Sequence, residues 1–212
     1  MKKNKNKGYK FNELNRDAQQ KVLEKYFDIN IDAEWWEIVY DNFKTIAGVL
    51  GITVNLRETW FQLPPETPER GSSYTADVNV LTLIKSLETK AWENIIPLPN
   101  FTFLPLTISK RIISLMERRI IDTSASVSAT NRESEIAVQF DSNYNSNACL
   151  NYNSIDTQLS IVCEMVTDAC GELNHFLLEE LEQDYEYRTS KEQIIRAIVV
   201  NQFRFSKDGQ QF

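Results

Sequence analysis

Hydrophobic positions recur along this chain in two rhythms. Leu14, Ala18, Val22 and Tyr26 fall every four residues, so a first helix is expected up to Tyr26, capped by Asn12 or Asn15. A second helix is expected from a cap at Asp32. It carries the stripe Trp36, Val39, Tyr40, Phe43, Ile46, Ala47 and Leu50, and Gly51 suits the left-handed position that ends it. The period then drops to two. Val54, Leu56 and Trp60 alternate with polar neighbours, as do Tyr74, Ala76, Val78 and Val80, which reads as a pair of strands. Between them Pro64, Pro65 and Pro68 cannot continue a ladder, so 63–71 is expected as an exposed loop.

The second half repeats this plan. A helix is expected over 82–94, and Pro97, Pro99 and Pro105 then hold an extended stretch around Phe101 and Phe103. Thr107 or Ser109 caps a helix containing Ile112, Ile113, Leu115, Met116 and Ile120. Ala125, Val127 and Ala129, then Ile136, Val138 and Phe140, form a hairpin around 130–133, and 141–154 reads as a loop. From a cap at Asp156 a long helix carries Leu159, Val162, Val166, Ala169, Leu173, Phe176, Leu177 and Leu181. Gly171 inside it marks a kink or a close packing contact. Thr189 with Glu192, or Ser190 with Gln193, opens a last helix through Ile194, Ile195, Ile198 and Val199. Phe203 and Phe205 suggest a short strand or turn after it. The expected class is α+β: about six helices, with two antiparallel hairpins forming a small sheet packed by helices. The expected organisation is a flexible basic tail over 1–10 and a single domain over 11–212.

Charge divides the chain unevenly. The net charge is −7, yet the first ten residues hold five Lys and no acid. The rest therefore carries 18 basic against 30 acidic residues, or −12. Nucleic-acid affinity comes mainly from Lys and Arg neutralising phosphates, so direct nucleic-acid binding is not expected. A partner protein with a basic surface fits better. No apolar stretch follows the Lys-rich start and no run of 18 apolar residues occurs, so neither a signal peptide nor a membrane span is expected. The three Cys, at 149, 163 and 170, form no disulfide framework. The expected compartment is a reducing cytoplasm.

Catalytic patterns are absent from the sequence. His175 is the only histidine and has no HxxxH or HxxE partner; there is no GxSxG, P-loop, GxGxxG or CxxC. No metal, cofactor or catalytic residue is expected, and thirty acids single out no carboxylate pair. The densest charge is the run Glu172, Glu179, Glu180, Glu182, Asp184 and Glu186, which contains no Lys or Arg. Like charges at helical spacing oppose one another by a few tenths of a kcal/mol per pair. Its bland meaning is a solvated helix face; its functional meaning is a surface that docks on a basic groove. Two aromatics join it as candidates for a partner. Alternation places Trp60 with Val54 and Leu56, which turns Phe61 outward, and Trp35 beside a core-facing Trp36 is likewise expected at the surface.

Two segments carry a resemblance. Phe11-Asn12-Glu13-Leu14 with Ala18, then Trp35-Trp36-Glu37 and Leu50-Gly51-Ile52, open the chain. Leu181-Glu182-Gln183-Asp184-Tyr185-Glu186-Tyr187, then Ser190, Glu192, Asn201, Phe205 and Asp208-Gly209, close it. Together they resemble an uncharacterised family of phage, prophage and mobile-element proteins, loosely labelled antitoxin-like. The relatives usually have a Gly-rich segment with Gln and Asp after the first strand, where this chain has Thr59-Trp60-Phe61-Gln62-Leu63-Pro64-Pro65-Glu66. No functional residue is therefore carried over. The resemblance implies an accessory protein acting in a bacterial host. Joined to the acidic body, it leads to the expectation of a non-enzymatic inhibitor of a host defence protein that handles nucleic acid, such as a CRISPR effector. The alternatives are an antitoxin-like partner of a toxin and a nucleotide-binding signal sponge. For the sponge, Tyr144, Tyr152, Arg118, Arg119 and Arg132 are the candidate contacts. A symmetric homodimer through a hairpin edge or the long helix is the expected assembly.

Overall fold

The structure, a computed structural model, describes residues 8–64, 70–95, 101–103, 107–130, 135–144 and 152–211. These hold six α-helices: α1 (Arg16–Lys25), α2 (Glu37–Val49), α3 (Val80–Thr89), α4 (Lys110–Glu117), α5 (Tyr152–Thr189) and α6 (Lys191–Val200). The strands β1 (Ile52–Gln62), β2 (Gly71–Val78), β3 (Ile121–Thr130) and β4 (Glu135–Tyr144) form one antiparallel sheet in the order β1-β2-β3-β4. The fold is α+β, and the two expected hairpins join through β2 and β3. The chain divides into two compact units, one of Met1–Glu37 with Leu181–Phe212, the other of Ile38–Glu180.

The unit built from the chain ends has its own core of Phe11, Leu14, Ala18, Val22, Ile194, Ile198 and Phe205. Asn15, not Asn12, caps α1, its side chain accepting from the Ala18 N–H at 2.8 Å. Asn12 lies in a short 3-10 turn over Phe11–Glu13. Ser190 caps α6 by accepting from the Gln193 N–H, so the second of the two expected capping registers is used. Tyr9 and Phe205 exchange backbone hydrogen bonds of 2.8 and 2.9 Å. Residues 1–7, with four of the five lysines of the expected tail, lie outside the described residues. Gly209 has φ +87°, and a Cβ there would lie 2.9 Å from the Ala18 carbonyl oxygen, so only glycine fits this approach to α1.

In the second unit one face of the sheet is apolar. Val54, Tyr74, Ala76, Val78, Ala125, Val127 and Ala129 point inward and are buried. Tyr74 meets Phe43 of α2 edge to face at 5.3 Å, and its hydroxyl donates to the Cys170 carbonyl of α5 at 2.9 Å. Ser72 and Asn174 are both buried and bond each other, Oγ to Oδ1 at 3.0 Å, so neither polar group is stranded in the core. Gly171 does not interrupt α5. A Cβ there would meet Ile136 of β4 at 3.7 Å, which identifies it as a packing position.

Several element boundaries differ from expectation. α2 starts at Glu37 after a turn over 33–36, and Asp32 accepts from the Glu34 N–H instead of capping the helix. Val80 begins α3, capped by Asn79, rather than ending a strand. Lys90 takes a left-handed conformation that ends α3, so the helix expected over 82–94 is split from a 3-10 turn at Ala91–Asn94. Ile120 lies beyond α4 and is exposed. β4 continues to Tyr144, into the segment expected as a loop, and α5 begins before Asp156. Asp156 accepts a hydrogen bond from the Tyr144 hydroxyl instead.

Candidate functional site

The acidic run lies on α5, with Glu172, Glu179 and Glu180 in the sheet unit and Glu182, Asp184 and Glu186 in the unit of the chain ends. Leu173, Leu177 and Leu181 are buried, which fixes the inward side of this stretch. At 3.6 residues per turn, His175, Glu179, Glu182 and Glu186 share one side, whereas Glu180 and Asp184 fall on another. The run is therefore not one continuous acidic patch. Much of it is also engaged. Glu172 accepts from the Thr102 N–H at 3.1 Å, Glu179 meets His175 Nε2 at 3.0 Å, and Arg188 Nε donates to Asp184 at 2.6 Å. Glu180 and Glu182 are half-buried and have partners of their own, and Glu186 is exposed. The Glu179 side chain is 48% exposed, so its pairing with His175 is a solvated contact of small energy.

Both aromatic candidates are placed otherwise than expected. Trp35 is buried at 6% exposure, packed against Trp36 at 6.1 Å and Tyr185 at 5.7 Å. The turn before α2 breaks the helical period, so the stripe through Val39 and Phe43 cannot be extended back to Trp36. Phe61 is half-buried, edge to face with Tyr40 at 6.3 Å, and Trp60 is 40% exposed. The cause is an irregularity in β1. Asn55 pairs with Thr75 and Trp60 with Ser73, so four residues of β1 stand opposite the single residue Tyr74. An excess of three is odd, and it reverses which side chains face the core.

The nucleotide candidates do not converge in the described residues. Tyr144 is tied to Asp156, Arg118 and Arg119 are exposed at the end of α4, and Arg132 and the Tyr152 side chain lie outside the description. Burial pushes the Cys170 thiol up to about 12. Burial, followed by the Glu164 carboxylate, raises that of Cys163. Neither thiol is a ready nucleophile near neutral pH. Cys149 lies outside the described residues. Among the described residues no three His, Cys, Asp or Glu side chains gather as a metal would require, and no helix is long and apolar enough to cross a membrane.

The sequence pattern gave no prominence to the solvent face of the sheet. It forms an open depression of about 630 Å³ lined by Thr53, Asn55, Thr75, Ser126, Ser128 and Gln139, with Asp77 as its only charged side chain. The signal was present as the hydroxyl residues that alternate with Ala125, Val127 and Ala129. Alternation identifies such a face as solvated and does not show that it is concave. A second groove, of about 350 Å³, lies in the unit of the chain ends. Phe11, Ile195, Val199 and Phe203 line it, with Lys10 and Arg204 among its polar residues.

Comparison with curated proteins and with solved structures gives no match. A family model does match, over residues 35–191, and it is described as a domain of unknown function, DUF8835. That span covers the whole sheet and all of α5, and the chain belongs to the DUF8835 family.

Proposed function

We propose that this protein acts by binding, and that the acidic side of α5 docks on a basic surface of a protein that handles nucleic acid and inhibits it. One observation carries the reading: Glu179, Glu182 and Glu186 follow at three- and four-residue steps along α5, with no Lys or Arg from 172 to 186. Carboxylates at helical spacing present negative charge to a partner, and opposite charge on that partner speeds and orients association. The net charge of −7 supports the same polarity of partner. The resemblance to phage and mobile-element proteins supports a bacterial host defence nucleoprotein, such as a CRISPR effector, as the target. Replacing Glu179, Glu182 and Glu186 with Lys should abolish capture of that target and relieve inhibition. The same change at the exposed acids Glu24 and Glu88 should not. Inhibition that survives the triple reversal rules the reading out.

The depression on the sheet favours a second reading, a site for a small polar ligand. Its volume lies within the roughly 300–1,000 Å³ usual for ligand sites. Titration calorimetry against a panel of nucleotides should show binding that Ser128→Tyr blocks. A flat trace across the panel removes this reading.

A further inference from the structure

We infer that the outer edge of β4 is a self-association surface, on which β4 of a second copy of this chain pairs antiparallel to give one continuous eight-stranded sheet. β4 pairs over its full length with β3, from Ile121↔Tyr144 to Thr130↔Glu135, with no shift of register. It is the last strand in the sheet order. Among the described residues, Ile136 to Asn143 have no hydrogen-bond partner beyond the β3 ladder and the Gln139–Asp141 side-chain contact. A regular strand edge of this kind, here Ile136 to Asn143, is a template for a further strand. The usual safeguards are missing, because β4 contains no Pro, Gly, Lys or Arg and no bulge.

A second copy fits this edge better than an unrelated strand, because the edge complements itself. The core-side row Ile136, Val138 and Phe140 remains half-buried, while its cross-strand partners Ala129, Val127 and Ala125 are buried. A two-fold axis through Gln139 keeps core side against core side and sets Val138 opposite Phe140 twice. The same axis sets Ala137 opposite Asp141.

Sedimentation equilibrium of the full chain, with concentration-dependent amide exchange, tests the proposal. A dimer is expected, and slower exchange over 135–144 as concentration rises, with β1 unchanged. Gln139→Glu places two carboxylates opposite each other on the solvent side and should weaken the dimer by up to about fivefold. Ala137→Lys faces Asp141 of the second copy and should strengthen it severalfold. A chain that stays monomeric at its highest soluble concentration overturns the proposal. So does a dimer whose β4 exchange does not depend on concentration. Protection of β4 that appears only on adding a different protein also overturns it, and points to a foreign strand.

Discussion

β1 and β4 are the two margins of one sheet, and they are finished in opposite ways. β1 is interrupted between Asn55 and Trp60. There the Asn55 side chain accepts from the Arg57 N–H at 3.2 Å, and the Thr59 hydroxyl donates to the Asn55 carbonyl at 3.0 Å. Glu58 reaches across to accept from the Thr75 hydroxyl at 2.6 Å. The backbone groups that would recruit another strand are thus partly occupied within β1, and Arg57 and Glu58 add charge to the margin. β4 has none of this: its ladder is regular, its side chains are mostly neutral, and its core-side row is incompletely covered. Local irregularity is one way to close a sheet edge, and β4 lacks it.

Three experiments can break or sharpen this contrast. The largest effect is expected from Tyr74→Ala. Tyr74 stands opposite the irregular stretch of β1 and is 1% exposed, so removing its ring should cost about 3–5 kcal/mol in urea unfolding. A cost below about 1 kcal/mol would mean that Tyr74 does not anchor the irregular edge. Tyr74→Phe keeps the ring, loses the bond to the Cys170 carbonyl, and should cost about 1 kcal/mol.

Alkali provides the second test, because it loads the core on which the sheet packs. Burial pushes Cys170 and Tyr40 up to about 12 from ordinary values near 9 and 10, and raises Tyr74 well above its usual value. Above pH 9 the unfolded chain releases these protons while the folded chain retains them. Stability therefore falls as pH rises from about 9 toward 12, by up to about 1.4 kcal/mol per pH unit for each group. Thermal melts across this window should show the decline. In amide exchange the β1 and β4 ladders should lose protection together, and loss from one edge alone would show that the edges open independently.

Asn55→Ala should have the smallest effect. It removes the acceptor for the Arg57 N–H, an exposed bond, and should cost about 0.5–1 kcal/mol. Its more informative readout is faster exchange at Arg57, accompanied by a new tendency of β1 to associate. If the variant gains no association, the charges of Arg57 and Glu58 protect the edge without help from the irregularity.

Legibility in the sequence followed the range of the forces involved. Asn15, Ser109 and Ser190 cap their helices as their positions suggested, because capping is decided within three residues. Gly51 ends α2 with φ +78°, and the stripe Val39, Phe43 and Ile46 is buried as its period implied. The surface candidates fared differently. Phe61 and Trp35 were assigned faces by extending a period through a point where the backbone breaks it, an irregularity in one case and a turn in the other. The acids of α5 were legible as a run, but their division between two sides and their partners Thr102, His175 and Arg188 depend on the helix as folded.

The sequence by itself determined the α+β class, the caps at Asn15, Ser109 and Ser190, the alternation that gives the sheet one apolar face, and the acidic balance, since each is set by neighbours within a few residues. Tertiary structure alone decided that the two hairpins join through β2 and β3, and that three extra residues in β1 turn Trp60 outward. It also decided that β4 is last in the sheet and pairs with β3 without a shift of register. Strand pairing joins residues far apart in the chain, and its register fixes which side chain faces the core at every later position.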